Sequence, residues 1–364
     1  MRVAAAAVEI LDIPFAAPIA TATGRWDRRR VGLLRLVSDD GLEGIGEVAG
    51  EALRGIDAEP PRDFGDSLVG LDVADRAALD ARLARIDGWS EMGRPLRSAL
   101  ESAAVDLLAR ADGSSVAASM TANPSPFVRA NALLGIDRAE ASAVAARRMV
   151  ARGFDCLKLK AGREPLSQTV DRVAAVRAAV GPSVSLRLDL NGSLDSSGAR
   201  AALDALAAYA LEYVEQPLAP EAGVAAMARL RRAVEVPIAA DEAVHSLEAA
   251  GELIAAEAID VLVLKPARVG GLRSAARIAL LAAEARVPTV VSTLFETGIG
   301  IAGALQLAAS LPGNHAHGLA TAELLASDLL QESLGLSGGR MKLPPGPGLG
   351  VTLDQSALVT YRRR

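Results

Sequence analysis

Short apolar runs recur along the middle of this chain, and three of them end on an acid. These are Asp189 in SLRLDLNG, Glu215 in EYVEQPL and Asp241 in PIAADEA, 26 residues apart, with Lys265 in VLVLKP 24 residues further on. A helix-like stretch follows each run. Strand and helix alternating at a fixed period force the strands to be parallel, because the chain must cross back before it starts the next one. Eight candidate strands can be placed: 128–135, 156–162, 184–192, 212–218, 237–243, 261–267, 289–296 and 315–320. This is the layout of a (β/α) barrel, whose chemistry sits at the C-terminal strand ends.

The regions on either side read differently. Residues 1 to 60 alternate apolar and polar, with DDG marking a hairpin between two runs, and 95–113 (PLRSALESAAVDLLARADG) has helical spacing that stops at Gly113. An α+β capping domain is therefore expected over 1–120 and the barrel over 121–325. In the segment 326–364, MKLPPGPGLGV is too rich in Pro and Gly for a helix and reads as an extended arm packing back on the capping domain. GRWDRRR (24–30) reads as a polar, irregular loop, either a plain surface loop or one that closes over the site.

Composition excludes several classes. Hydrophobic residues make up 51% of 364, enough for a sizeable core, yet no run of 18 or more apolar residues is present to span a membrane. A net charge of −5 and 3% aromatics supply neither a basic footprint nor a stacking platform for nucleic acid. The N-terminal apolar stretch is interrupted by Glu9 and Asp12, unlike a signal peptide, and the single cysteine, Cys156, fits a reducing, cytoplasmic compartment. Cys156 itself reads as a small buried hydrophobe. The expected partner is a small carboxylate; the sequence leaves open whether the chain forms a homo-oligomer.

Three carboxylates converging at a barrel mouth repel one another unless a cation sits between them, and that many hard oxygen ligands suit Mg²⁺ or Mn²⁺ rather than zinc. Lys158 and Lys160 form K-x-K on the second strand and share one face. Two like charges depress each other's pKa, so one lysine is expected to be neutral enough near pH 7 to take a proton from carbon. Lys265 arrives from the sixth strand, across the barrel. A metal flanked by lysines suits removal of a proton alpha to a carboxylate. Any one of these residues alone is more often a helix cap or surface group; their equivalent placement on five successive strands carries the reading. Asn191 either orients a ligand or merely serves the NG turn, and Glu242 points away from the mouth on a regular strand. Ser292 and Thr293 are placed to donate to a substrate carboxylate, and Glu296, Gly298 and Gly300 form a tight turn whose N–H groups can approach an anion. His245, His315 and His317 lack metal spacing and read as structural.

With these motifs in place (GLEGIGEVA, SALESAAVDLLAR, LKLKAG, LDLNG, VEQPL, ADEA, LKPARVGG and STLFETGIG), the chain resembles the enolase superfamily, in particular its muconate-lactonizing subgroup. The resemblance covers nearly the whole chain and implies a (β/α)7β-type TIM barrel with a capping domain completed by the C-terminal tail. It implies Asp189, Glu215 and Asp241 as Mg²⁺ ligands, Lys160 as the base, Lys265 as the opposite-face lysine, and a mobile loop near residues 24–30. STLFETGIGIAGALQLAASLP followed by HGLATAELLASDLL, and NALLG on the first strand, resemble the o-succinylbenzoate synthases of menaquinone biosynthesis. These are lyases that dehydrate 2-succinyl-6-hydroxy-2,4-cyclohexadiene-1-carboxylate. The alternatives are isomerases: N-acylamino acid racemases, dipeptide epimerases and muconate cycloisomerases. HAHGLA lacks the Asp-x-Asp typical of dipeptide epimerases. Ser193 and Leu194 stand where the family often has an aromatic. A silent binding barrel is disfavoured by the intact polar set, and a metal-dependent hydrolase by the three unpaired histidines.

Overall fold

The computed structural model describes residues 1–21, 24–50, 60–61, 63–87 and 92–363, with 20, 21 and 24 in backbone only. β1 (Val3–Thr21) and β2 (Gly24–Ser38) form a long antiparallel hairpin, and β3 (Glu43–Val48) pairs with the other edge of β2. The DDG turn joins β2 to β3, with Gly41 at φ +84°. Helix α1 (Arg76–Asp87) precedes α2 (Gly93–Ala111), which lies directly on β3. A Cβ at Gly44 or Gly46 would stand 2.3 or 2.1 Å from the carbonyl oxygens of Ala103 and Ala99, so the glycines of GLEGIGEVA are what let this helix approach the sheet. A short helix, α3 (Val116–Met120), leads out of this unit.

The GRWDRRR segment is not an irregular loop. It is the start of β2, with Trp26 opposite Ile19 and Arg30 opposite Asp12. Strand alternation explains how a run of arginines fits a sheet: Arg28 is exposed while Arg29 is buried between its neighbours.

The VRANALLG run, expected as one strand, is two. β4 (Phe127–Arg129) pairs antiparallel with the tail, and β5 (Ala132–Leu134) begins the parallel sheet. That sheet continues through β6 (Cys156–Lys160), β7 (Ser185–Asp189), β8 (Tyr213–Glu215), β9 (Ile238–Ala240), β10 (Val261–Leu264) and β11 (Thr289–Val291), in chain order. Between the strands run α4 (Ala139–Ala151), α5 (Leu166–Val180), α6 (Ser196–Leu206), α7 (Val224–Ala233) and α8 (Leu247–Ala255), then α9 (Pro266–Val269) and α10 (Leu272–Glu284) together. α11 (Gly298–Ser310) follows β11. The eighth expected strand, 315–320, is no regular strand. Single parallel bridges join His317 to Ala130 and Gly318 to Ser292, and through them this segment closes the ring.

The pleat sorts the side chains. Leu157, Leu159, Leu186, Leu188, Val214, Leu262 and Leu264 point outward beneath the helices and are fully buried, each contributing roughly 1.5–3 kcal/mol. The alternate residues point into the ring. Tyr213, Ala239, Val263 and Val290 form a small interior cluster, and the Arg187 guanidinium lies 4.8 Å from the Tyr213 ring. One step further along each strand, at the C-terminal end, the same parity delivers Lys160, Asp189 and Glu215 in register.

The tail is not wholly extended. β12 (Leu336–Ser337) and β13 (Arg340–Lys342) pair as a hairpin onto β4, and α12 (Gln355–Tyr361) ends the described chain. It meets the first hairpin through a Leu11–Arg362 bridge and through the Arg363 N–H donating to the Ile10 carbonyl at 2.9 Å. No helix among the described residues is long and apolar enough to cross a membrane.

Candidate active site

The strand ends bring together four acids and four bases: Asp189, Glu215, Asp241 and Glu242 with Lys158, Lys160, Lys265 and Arg268. Lys158 Nζ lies 2.6 Å from Glu215 Oε1 and 2.9 Å from Asp189 Oδ2, and Lys160 Nζ lies 2.7 Å from that same Asp189 oxygen. On the far side, Lys265 Nζ is 2.6 Å from Asp241 Oδ2 and Arg268 Nη1 is 2.5 Å from Asp241 Oδ1. Three strands separate Lys160 on β6 from Lys265 after β10, so the two ammonium groups face each other across the acids. Lys160 is the most accessible of these three lysines, at 16% side-chain exposure against 8% for Lys158 and Lys265.

Charge compensation here differs from the expectation. Burial alone would push the Lys158 ammonium toward neutrality, but Asp189 and Glu215 outweigh it and hold its pKa well above the usual lysine range. Lys158 is therefore a fixed counter-ion and no candidate base. Asp189 is buried, yet Lys158 and Lys160 hold it far below the carboxylate range; Arg268 and Lys265 do the same for Asp241. Glu215 goes the other way, up to about 8, because burial and the neighbouring charge of Asp189 outweigh Lys158.

Nor do the acids converge as a ready cage: among the described residues no three acid, histidine or cysteine side chains are grouped to hold a cation. The lysines stand between them. The donor chemistry nevertheless fits a hard divalent cation. Three carboxylates end consecutive strands, and Glu215 Oε2 is buried with no hydrogen-bond partner among the described residues. A carboxyl raised to about 8 is short of positive charge, and a divalent ion held by Asp189, Glu215 and Asp241 would supply it.

Neighbouring residues brace the set. Asn191, at φ +46°, accepts from Lys160 Nζ through Oδ1 (3.0 Å) and donates through Nδ2 to Glu242 (3.0 Å), so its side chain serves more than the turn. Glu242 thus bears on Lys160 through Asn191. Three residues around the acids escaped the sequence reading, Arg268 against Asp241 being the first. Gln216 Oε1 accepts from the N–H groups of Asp241 and Ala243, fixing the loop that carries Asp241. Arg172 donates to the carbonyls of Lys160 and Gly135, pinning the end of β6. Arg268 and Gln216 lie inside the LKPARVGG and VEQPL motifs, and that was the signal available for them.

The seventh-strand residues have other commitments. Ser292 Oγ and Thr293 Oγ1 lie 3.5 and 3.3 Å from the Gly318 carbonyl, and Thr293 also bonds Thr321. The Gly298 N–H goes to the Asp328 carbonyl at 2.9 Å. The turn after β11 does hold an acid, and it is the protein's own, a carboxyl whose pKa burial raises. Glu47 of β3 accepts from Thr297 N–H (3.1 Å), Thr297 Oγ1 (2.6 Å) and Gly300 N–H (2.9 Å), a contact no local pattern could reveal. Glu296 is buried beside it and accepts from the Leu294 N–H, with its carboxyl pushed up to about 7 by burial and by Glu47. A Cβ on Gly300 would stand 2.6 Å from the Glu296 side chain and 3.1 Å from Glu47 Oε2, so only glycine fits between the two.

The histidines are not grouped with the acids. His317 Nδ1 accepts from the Val291 N–H at 2.9 Å, and burial with Arg187 nearby drives its pKa down to about 3, leaving it neutral at the barrel seam. Cys156 is buried, its thiol pushed up to about 12 by burial, and is inert as a nucleophile.

Comparison with known proteins matches residues 5–120 to the mandelate racemase / muconate lactonizing enzyme N-terminal domain and residues 141–357 to the enolase C-terminal domain-like family. The chain is similar to o-succinylbenzoate synthase of Thermobifida fusca (strain YX), 42% identical over 193 residues; the match takes in 52% of the chain and 59% of that relative's length. Its structure is similar to that of muconate lactonizing enzyme from Pseudomonas fluorescens complexed with muconolactone, at 26% identity and a TM-score of 0.91 over all of both chains. It is also similar to a dipeptide epimerase from Enterococcus faecalis V583 complexed with Mg and a dipeptide, at 25% identity and a TM-score of 0.88 over 97% of this chain and all of that one.

Proposed function

The chain belongs to the enolase superfamily, and on that premise we propose that it is a lyase of the o-succinylbenzoate synthase type, dehydrating a cyclohexadiene carboxylate to an aromatic product. The observation that carries the reading is Lys160: least buried of the three lysines at the strand ends, oriented by Asp189 and Asn191, and facing Lys265 across the acids. The 42% relative supports this choice of reaction over the other chemistries of the superfamily.

In this reading Lys160 takes the ring proton alpha to the substrate carboxylate. The C–O bond to the ring hydroxyl then breaks, and the same lysine returns its proton to the departing oxygen, so water leaves from the face on which the proton was lost. One base suffices for a syn elimination, and aromatisation supplies the driving force. Lys265, held by Asp241, contributes a stationary positive charge on the opposite face. Asp189, Glu215 and Asp241 would hold Mg²⁺ or Mn²⁺, which would supply Lewis-acid charge to the substrate carboxylate. Lys158 keeps Asp189 ionised and bonds Glu215 at 2.6 Å.

The two-sided lysine arrangement also favours a second reading, racemisation of N-acylamino acids, in which each lysine serves one face. Purified enzyme with Mg²⁺ should be assayed for loss of the cyclohexadiene chromophore and, in D₂O, for exchange of the alpha proton of N-acylamino acids by NMR. Dehydration should be the faster reaction. Exchange outpacing dehydration would transfer the assignment to the racemase.

A further inference from the structure

We propose that a cleft between α2 of the capping unit and α8 and α10 of the barrel binds a small molecule carrying at least two adjacent negative charges, of the phosphoryl or polycarboxylate class. The cleft encloses about 430 Å³, within the range of small-molecule sites. Arg94 and Arg97 reach it from α2, Arg277 and Ser274 from α10, and His245 and Ser246 from the loop before α8. Among the described residues lining it, Glu248 is the single carboxylate. Three guanidinium groups against one carboxylate reverse the sign of a chain whose net charge is −5.

Part of this charge serves the fold, since Arg97 offsets part of the burial that raises the Glu101 pKa and Arg277 helps lower that of Glu248, yet all three side chains also line one concavity. Guanidinium groups gathered at one concavity repel one another, and their planar forks match phosphoryl or carboxylate oxygens in pairs. Arg97 is held in place by packing: a Cβ on Gly270, at φ +95°, would meet its Nε at 2.8 Å, so the guanidinium lies against bare backbone. Burial, then Arg94 and Arg268, lower the His245 pKa, which leaves its imidazole a neutral hydrogen-bonding group at pH 7. Ser246 caps α8 by accepting from the Ala249 N–H at 3.1 Å, and the positive end of that helix opens on the same space.

None of the acids or lysines of the candidate active site lines this cleft, so it is a second site. It is nevertheless connected to the first. His245 lies four residues beyond Asp241 and Gly270 five beyond Lys265, on the loops that leave β9 and β10. An anion bound there would tie α2 to both loops, joining capping unit and barrel behind the lysine on the opposite face. The inference is independent of which reaction the enzyme catalyses.

The test is calorimetric titration of the whole protein, free of divalent ions, with pyrophosphate and separately with citrate. Saturable one-to-one binding of either supports the site, and the better ligand assigns the class. Arg94 and Arg277 are exposed, so the double variant R94A/R277A should fold as wild type does, confirmed by circular dichroism, and should bind at least about tenfold more weakly. Lys160→Ala should bind as wild type does, which separates this cleft from the barrel mouth. The ligand should also raise the thermal midpoint of the wild type but not of R94A/R277A. No saturable binding of either anion, or undiminished binding by the double variant, overturns the proposal.

Discussion

Glu296 offers a quantitative test of where the seventh-strand turn does its work. Burial and then the neighbouring Glu47 push its carboxyl up to about 7, against 4.5 for an ordinary glutamate, with Arg29 as partial compensation. The folded state therefore holds this proton more tightly than the unfolded state does. As pH rises from about 4.5 to 7, the unfolded chain releases the proton while the folded chain retains it, and stability falls. At 1.36 kcal/mol per pH unit, the loss by pH 8 is on the order of 3 kcal/mol. Glu296→Gln keeps the shape and an acceptor for the Leu294 N–H but removes the titration. The variant should match wild type near pH 4.5 and exceed it by about 3 kcal/mol at pH 8, several degrees in thermal midpoint. Guanidinium unfolding followed by circular dichroism at both pH values provides the measurement. Glu47→Gln is the contrasting control: it weakens three donations from Thr297 and Gly300 and should destabilise. A Glu296→Gln variant no more stable than wild type at pH 8, or a difference that ignores pH, would refute the argument.

Three further outcomes are expected. Lys160→Ala should lower kcat for dehydration by about 10²–10⁴ with a smaller change in KM, measured by steady-state kinetics. Chelation should abolish turnover, and Mg²⁺ at about 100 times its dissociation constant should stabilise the protein by about 2.7 kcal/mol, an effect lost in Asp189→Asn. Gly300→Ala should destabilise by roughly 1–3 kcal/mol in thermal or denaturant unfolding, since the added methyl must displace Glu296 or Glu47.

The barrel and its acids were legible because both are written in local pattern: strand parity places Lys158, Lys160 and Asp189 on one face, and the period repeats the arrangement. Legibility failed where meaning depends on distant partners. Glu47 is 250 residues from Thr297, and nothing in GIGEV says that its carboxylate will occupy the turn that looked ready for a substrate. The charge on Lys158 was hidden for a related reason: the adjacent lysine is visible in sequence, whereas Glu215, 57 residues away, is visible only in space. The arginine run before residue 31 looked like a loop because only one of its residues turns inward, and inwardness is decided by α2 and the barrel. At the eighth position, HAHGLA has one bridge to each neighbour in place of a ladder, so its closure of the ring rests on single contacts that periodicity does not encode.

The contact of the tail with β1 has a consequence for how the molecule is made. β1 is an edge strand, and its outer side meets Leu325 and Arg362; the Glu9–Arg362 pair spans 353 residues. At about 5–20 residues per second, that edge waits on the order of tens of seconds on the ribosome before its partner exists. During that interval the open outer edge of a strand with Leu11 and Ile13 on its inner face is a template for any passing chain. Glu9, Asp12 and Pro14 lie along it, a charge and proline pattern that discourages intermolecular pairing until the tail arrives.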